Sequence, residues 1–483
     1  MLMRRSLQVL VCVTCLGGVA KGSDWHGPGP LFDDFSLTLD LGHRTEVVGP
    51  FYYSEQKETQ HTWALPLLGL EHVVDPGTES EEWDFCYPVL TYDRYGAEYR
   101  WQFFQLFSFA GGANQDASKD RRFTLYPFYF QQRSTNPSHN YTALVPLYGH
   151  LDHRLFHDQI DFVLFPLYAK THRKDVVTYN MPYPFFHLRQ GNGLKGWQFF
   201  PIVGMEHKEL TTLTNNFGDV TSVGGHDHRF VLWPFFTSSL DATGTEQAAH
   251  IQTLFPLYSF ERSALRHSTS YGWPLGFTHV IDREKKYEEW DAPWPLVEFA
   301  HGEGKTTRRI WPLFSQSRNE HLESDWYLWP IWKYAHFVSE PLDRERSQIF
   351  FFFYSSVKEK NLETGKSMRR VDLWPLFTYR RGHDQKERLQ VLSIIEPVLP
   401  NNKSIERDYA PIYSLWRDEK NPKTGAQSQS LLWNLYRRET SPEGKKCSLL
   451  FGLVQYNKSV DGTQWRVGYV TLGKRKQASA PPQ

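Results

Sequence analysis

The sequence predicts an all-β protein built as an antiparallel up-and-down meander, and three observations support this prediction. A short apolar phrase centred on proline recurs along the chain at intervals of about 17 to 22 residues, and such a period marks repeat architectures. Aromatic residues make up 16% of the 483 residues, and aromatic side chains favour strands. Each phrase is apolar at consecutive positions and is bounded by turn residues, which favours a strand over an amphipathic helix.

The clearest copies of the phrase place two apolar residues on each side of a proline. They centre on Pro127, Pro146, Pro166, Pro234, Pro256, Pro312, Pro330 and Pro375. Weaker copies extend the pattern in both directions, and those at residues 103–107 and 350–354 lack the proline. Strong and weak copies together give about 20 to 22 units, and the pattern predicts one repeated strand per unit.

A central proline is unusual in a strand because it has no N–H for the ladder. The sequence leaves open whether each unit is one long strand kinked at its middle or two short strands that meet at a corner. At residues 162–170 both faces of the predicted strand are apolar through the centre, which is typical of burial on both sides. Longer polar stretches at residues 209–228, 339–348 and 358–370 are predicted to be loops.

Two architectures fit this pattern. The first is a large closed β-barrel in a bacterial outer membrane, which suits many evenly spaced strands and abundant Trp and Tyr. The second is an open β-repeat array whose units stack to bury a continuous core. The barrel is the preferred prediction because a closed sheet has no exposed edge strand. Two features count against the barrel: the central prolines would leave carbonyl groups unpaired in hydrocarbon, and the apolar inner face would require a filled lumen in place of an open, water-filled pore.

Composition divides the chain into three parts. Residues 1–22 are predicted to be a signal peptide, because a basic start is followed by an apolar stretch and small residues. Residues 23–472 are predicted to form a single β-repeat domain, and residues 473–483 a polar C-terminal tail. We therefore expect an exported protein in the outer membrane, with the periplasm or the cell surface as the alternative.

Charge and cysteine content limit the expected partners. Lys and Arg together number 54, as do Asp and Glu, so the formal net charge is zero. A neutral chain gives no support for a nucleic-acid partner, and membrane lipid is the expected partner. Cys86 and Cys447 remain beyond the predicted signal peptide, and the sequence does not determine whether they pair.

No segment carries a strong catalytic or cofactor-binding signature. Residues 301–307, HGEGKTT, look like a phosphate-binding loop but lack its first glycine, so a hairpin turn is predicted. Residues 224–228, GGHDH, contain metal-binding residue types without a defined ligand spacing, and no metal site is predicted. No catalytic residue and no cofactor are assigned.

The sequence therefore predicts a non-enzymatic exported envelope protein, an outer-membrane β-barrel with a structural or solute-passage role. The alternative is a soluble periplasmic or surface scaffold that binds partners through its turns. A third hypothesis, a carbohydrate-active β-protein, depends only on acidic runs such as residues 288–291 beside tryptophan.

Overall fold

The computed structural model of the chain describes residues 31–113, 119–214, 220–245, 247–272, 275–400, 402–459, 462–468 and 470–472. The predicted signal peptide and the predicted polar tail lie outside these residues. The described residues form 45 β-strands, three one-turn 3-10 helices and two short α-helices. None of these helices is long and apolar enough to cross a membrane.

The strands are short and are numbered in chain order. Strands β1 to β15 are Phe32–Ser36, Gly42–Val47, Tyr52–Lys57, Gln60–Leu65, Leu70–Asp75, Ser80–Phe85, Leu90–Tyr95, Glu98–Phe103, Phe107–Ala113, Lys119–Leu125, Tyr129–Arg133, Tyr141–Leu144, Tyr148–Arg154, His157–Val163 and Tyr168–Arg173. Strands β16 to β30 are Val176–Asn180, Phe186–Gly191, Leu194–Phe199, Val203–Lys208, Thr211–Thr214, Val220–Val223, Gly225–Val231, Phe236–Thr243, Ala249–Leu254, Tyr258–Ser263, Arg266–Tyr271, Phe277–Asp282, Tyr287–Asp291, Val297–Gly302 and Lys305–Ile310. Strands β31 to β45 are Phe314–Asn319, Leu322–Tyr327, Trp332–Ser339, Leu342–Ile349, Tyr354–Asn361, Ser367–Leu373, Phe377–Arg381, Glu387–Val391, Trp416–Asn421, Ala426–Leu431, Tyr436–Ser441, Gly444–Leu449, Val454–Ser459, Gly462–Val467 and Val470–Leu472.

The helices lie in connections between strands. The 3-10 helices are Gly49–Phe51, Pro66–Leu68 and Pro137–His139. Both α-helices, Lys403–Asp408 and Ala410–Tyr413, lie in the connection between β38 and β39. The first begins at an Asn402 cap, whose side chain accepts a hydrogen bond from the Ile405 N–H, as expected for a helix N-terminus.

Forty-three of the strands form one antiparallel sheet, in which each strand pairs with its neighbours in sequence. The exception is the β20–β21 hairpin, which forms a separate two-stranded sheet. Strand β19 therefore pairs with β22 across this insertion. The prediction of an all-β antiparallel meander is confirmed.

The proline-centred units differ from the prediction of one strand per unit, because each unit joins two strands. Strand β14 ends at Val163 and β15 begins at Tyr168, so Pro166 lies in the turn between them. The peptide bonds before all eight prolines of the clearest copies are cis. Proline has no N–H to donate to the ladder, and a turn accommodates it where a strand centre does not. Each predicted unit is thus one turn with its flanking strand ends, and the sheet contains about twice as many strands as units.

The three polar stretches predicted as loops contain strands. Residues 209–228 include β20, β21 and the start of β22, residues 339–348 include most of β34, and residues 358–370 include parts of β35 and β36. Strand β34 pairs along its whole length with both neighbours. Polar strands are stable here because an antiparallel sheet can present a face to water.

The two ends of the sheet do not share a hydrogen-bond ladder within the described chain. Strand β1 pairs only with β2, and β45 pairs only with β44. The ends meet instead through side chains, as when Asn421 Nδ2 donates to the Thr38 carbonyl oxygen at 3.1 Å. The predicted barrel closure by strand pairing is not observed. We call this contact between residues 35–87 and residues 386–437 the seam.

Apolar burial is local rather than central. One cluster of buried side chains lies on β11 to β15 and consists of Phe130, Tyr141, Ala143, Leu151, Phe162 and Ala169. Cys86 and Cys447 are both free thiols. Most of the sheet thus depends on cross-strand pairs and its continuous backbone ladder for stability.

Candidate functional site: the apolar edge of the sheet

The meander separates two kinds of turn. In an antiparallel sheet, successive turns lie at opposite ends of the strands. Within the 43-stranded sheet, the proline-centred turns follow even-numbered strands, so they all lie at the same end of the strands. We call this row of turns the apolar edge. The turns after odd-numbered strands lie at the opposite, polar edge, and Lys174-Asp175 and Asn192-Gly193 are examples.

Large apolar side chains are exposed along the apolar edge. Leu167, Leu257 and Leu313 are each more than half exposed. The exposed aromatic side chains of this edge include Tyr126, Phe128, Tyr183, Trp233, Trp294, Trp311, Trp329 and Phe351. Single exposed apolar residues are ordinary, whereas a long contiguous row of them marks an interaction surface.

The backbone N–H groups of the apolar turns are paired within the protein. The Tyr126 N–H donates to the Leu106 carbonyl oxygen of the preceding turn at 2.8 Å. The Phe128 N–H donates to the Leu125 carbonyl oxygen at 2.7 Å. Pro127, between them, has no N–H. Each N–H of residues 126–128 is therefore either hydrogen-bonded or absent.

The same pairing occurs at the turn around Trp233. The N–H groups of Leu232 and Trp233 donate to Ile202 and Pro201 of the preceding turn at 2.6 and 2.7 Å, and the Phe235 N–H donates to Leu232 at 2.7 Å. Ordinary surface turns leave such donors to water. Because these N–H groups are already hydrogen-bonded, the turn can move into an apolar medium without the free-energy cost of unpaired N–H groups.

Turns without proline place bulky residues in the left-handed backbone region. Phe350 and Phe351 have φ values of 44° and 59°, and Leu450 and Phe451 have φ values of 53° and 51°. Glycine or asparagine is the ordinary residue there, because the left-handed conformation costs other residues about 1–2 kcal/mol each. Leu155 and Phe156, in a turn of the polar edge, have φ values of 53° and 62°, so this strain is not confined to the apolar edge.

A polar cavity of about 330 Å³ lies in the seam. On its wall, Arg44 contacts Glu46 at 2.7 Å and Glu55 at 3.2 Å. Arg417 lines the same cavity, and its side-chain Nη2 is sealed from solvent with no hydrogen-bond partner within the described residues. Burial, followed by the charge of neighbouring Arg388, lowers the pKa of Arg417 to about 9. Polar and charged residues from both ends of the sheet therefore line this cavity inside the seam.

The histidines of the GGHDH segment meet two carboxylates from neighbouring strands. His226 and His228 stack on β22 with ring centroids 4.4 Å apart. His226 Nε2 lies 2.8 Å from Glu206 Oε1 on β19, and His228 Nε2 lies 2.6 Å from Asp241 Oδ1 on β23. Glu206 and Asp241 could not be identified from the sequence, because strand pairing, and not spacing along the chain, brings them to the histidines.

The remaining candidate residues do not converge on a site. Asp227, the carboxylate within the GGHDH segment, contacts His207 Nδ1 at 3.0 Å instead. Residues 301–307 contain the hairpin turn between β29 and β30, as predicted. In the acidic run at residues 288–291, Glu288 lies on β28 and contacts a neighbouring histidine.

The apolar edge extends along the 43-stranded sheet. The seam cavity adjoins it, because Leu432, Trp433 and Asn434 of the turn after β40 line that cavity, whereas His226 and His228 lie near the polar edge on β22. Comparison of the sequence with protein-family models and with curated proteins finds no match to either.

Proposed function

We propose that this protein is a non-enzymatic structural protein of the cell envelope, which lies on a membrane with its apolar edge immersed in lipid. The observation that carries the proposal is the segregation of exposed apolar turns to one edge of a 43-stranded sheet. Strands are spaced about 4.8 Å apart, so such an edge is about 200 Å long along its contour. Soluble monomers rarely expose apolar surface on this scale.

Two features of the edge favour lipid over a protein partner. Trp and Tyr side chains are enriched where proteins meet membrane–water interfaces, and this edge carries several of them. The N–H groups of its turns are hydrogen-bonded from turn to turn, as hydrocarbon requires of any backbone that enters it. A protein partner would supply hydrogen bonds of its own and would not require this pairing.

Strand length favours binding at the membrane surface. The described strands contain three to eight residues, and a strand that crosses a bilayer needs about 9–11 residues. We therefore propose that the edge enters the headgroup and acyl boundary to a depth of about 5–10 Å, as interfacial elements do. The polar edge and the polar halves of the strands then remain in water, and the role is structural rather than solute passage.

The experiment measures flotation of the purified protein with vesicles of phosphatidylcholine. Because the net charge is zero, binding should persist at high salt. The substitutions Leu167→Asp, Leu257→Asp and Leu313→Asp each place a charge at the apolar edge. Each should weaken vesicle binding by about tenfold, which corresponds to about 1.4 kcal/mol.

The matched control is Phe156→Asp at the polar edge. Phe156 is 92% exposed, so it offers as much apolar surface as any edge residue, yet its loss should leave vesicle binding unchanged. A wild-type protein that stays at the bottom of the gradient would reject the proposal in favour of the soluble scaffold. Equal loss of binding in the control and the edge variants would also reject it.

Tryptophan fluorescence gives an independent measure of which surface enters the lipid. Trp233 and Trp311 lie in apolar turns and are exposed. Vesicles that contain brominated acyl chains should therefore quench the fluorescence of these residues, because the quencher lies at the depth that the proposal assigns to the edge. Trp294 and Trp329 are exposed at the same edge, so replacement of all four residues by Phe should remove most of this quenching.

A further inference from the structure

We propose that Glu206, His226, His228 and Asp241 form a zinc site on one face of the sheet. The site lies at the polar end of β19, β22 and β23, beside the place where the β20–β21 hairpin leaves the sheet. It is separate from the apolar edge, so it does not depend on the proposed membrane role.

The distances between the side chains are close to those of a metal site. One ligand atom from each of Glu206, His226 and His228 lies within 4.8 Å of the other two. Zinc holds its ligand atoms at about 2.0–2.2 Å, which places tetrahedral ligands about 3.5 Å from one another. Small side-chain rotations would therefore suffice to close the group around a cation.

We include Asp241 as the fourth ligand. Its Oδ1 lies 2.6 Å from His228 Nε2 on the neighbouring strand, but it lies outside the group of three residues whose ligand atoms are all within 4.8 Å of one another, so its carboxylate must rotate toward them to bind the metal. Two imidazoles and two carboxylates are ligand types that zinc accepts, and four protein ligands are typical of a structural rather than a catalytic zinc site. No catalytic role is assigned to the metal.

The backbone places these residues on the same face. Glu206 and His228 lie directly opposite each other in the pairing of β19 with β22, and His226 lies two residues away on the same strand. The register of β22 with β23 shifts between Gly225 and Asp227, which leaves His226 without a partner in β23. Such bulges commonly redirect a side chain at a functional site.

Arg189 supplies an outer contact that orients the cluster. Its Nη1 donates to Glu206 Oε2 at 2.7 Å, while Oε1 of the same carboxylate faces His226. Hydrogen bonds to the distal oxygen of a ligating carboxylate are a common way to fix its direction. A bound cation would join three strands beside an insertion and would stabilise the folded chain by mass action.

The test titrates Zn²⁺ into tag-free protein that has first been dialysed against a chelator. Calorimetry measures the binding. The wild-type chain should bind one equivalent of Zn²⁺ tightly, and His226→Asn or His228→Asn should abolish this site. The matched control is His279→Asn, because His279 Nε2 also contacts a carboxylate, Glu288 Oε1 at 2.7 Å. The control should bind zinc as the wild type does.

A second measurement does not depend on the folding of any variant. Co²⁺ added to the wild-type chain should give the intense visible absorption of four-coordinate cobalt, and Zn²⁺ should displace it. A wild-type chain that binds no zinc would overturn the proposal. So would a weak octahedral cobalt spectrum, or equal zinc binding by folded His226→Asn protein.

Discussion

At the residue scale, burial changes the protonation of carboxylates within the sheet. Asp291, at the end of β28, is 1% exposed, and its Oδ1 has no hydrogen-bond partner within the described residues. Burial, followed by the negative charges of Glu289 and Glu298, raises the pKa of Asp291 to about 7. The sequence identified residues 288–291 as an acidic run, but it could not show which of its members are buried, because burial depends on packing.

We predict that Asp291 destabilises the folded chain at neutral and alkaline pH. Its pKa is about 7 when folded and 3.8 in the reference state, so the folded state binds its proton more tightly. The stability that this carboxyl contributes below pH 3.8 is lost as the pH rises from about 4 to 7. Asp291→Asn should therefore unfold at higher urea concentration than wild type at pH 8, and the difference should shrink toward pH 4.

Asp40 provides the opposite control. Burial alone would raise its pKa, but hydrogen bonds from Lys57 and Lys386 lower it overall. A carboxyl with a lowered folded pKa contributes stability at neutral pH that is lost on acidification. Asp40→Asn should destabilise the chain at pH 8. If both variants shift stability in the same direction at pH 8, the assignment for Asp291 is wrong.

At the element scale, hairpins with apolar turns recur along the sheet. Proline occupies a position whose N–H is not needed. The N–H before it bonds to the preceding turn, as at Tyr126, and the N–H after it bonds within its own turn, as at Phe128. Bulky residues adopt positive φ in turns without proline, as at Phe351, and also in turns with proline, as at Leu232. This conflict with local backbone preference recurs at both edges, since Phe156 of the polar edge also has positive φ.

Two matched glycine substitutions measure the energetic effect of that conflict. Phe351 and Phe128 lie at the same edge and are 57% and 58% exposed, but only Phe351 has positive φ. Phe128→Gly should lower the free energy of unfolding by about 0.5–1 kcal/mol, because glycine loses more chain entropy on folding. Phe351→Gly should be more stable than Phe128→Gly by about 1 kcal/mol, because it relieves a left-handed phenylalanine.

Urea unfolding of the two variants and the wild type measures this difference. Equal destabilisation by both substitutions would show that the left-handed conformation carries no measurable penalty at Phe351. Both variants remove an exposed ring from the apolar edge, so vesicle binding should fall by a similar factor in each. Phe351→Gly should therefore lose as much lipid binding as Phe128→Gly but less folding stability.

At the scale of the whole molecule, the seam joins the two ends of a very long sheet. Arg407, in the Lys403–Asp408 helix, contacts Glu71 at 2.8 Å, Glu82 at 3.1 Å and Asp84 at 3.0 Å on the first strands. Glu71 and Asp84 are almost fully buried. The seam therefore depends on an ion network in place of a backbone ladder.

We predict that Arg407→Met opens the seam. Removal of the cation leaves Glu71 and Asp84 buried without their main counter-ion, and breaking a buried pair in this way typically costs about 3–5 kcal/mol. Hydrogen exchange should increase in β5, β6 and β38 to β41, while strands far from the seam keep their protection. The control is Lys286→Met, which breaks an exposed pair with Glu303 and should leave exchange unchanged.

If hydrogen exchange increased equally across the whole sheet in Arg407→Met, the prediction that the seam opens locally would be wrong. Such an increase would show instead that the 43 strands unfold as one unit, since a local opening increases exchange only where contacts are lost.

The sequence by itself determined the all-β class and the antiparallel meander, because strand and turn preferences are local. The tertiary structure alone decided that proline lies in turns, that the apolar turns share one edge, and that the two ends meet through side chains. It also decided which carboxylates reach His226 and His228. These properties depend on strand register and on contacts between residues hundreds of positions apart, and no local pattern in the chain encodes them.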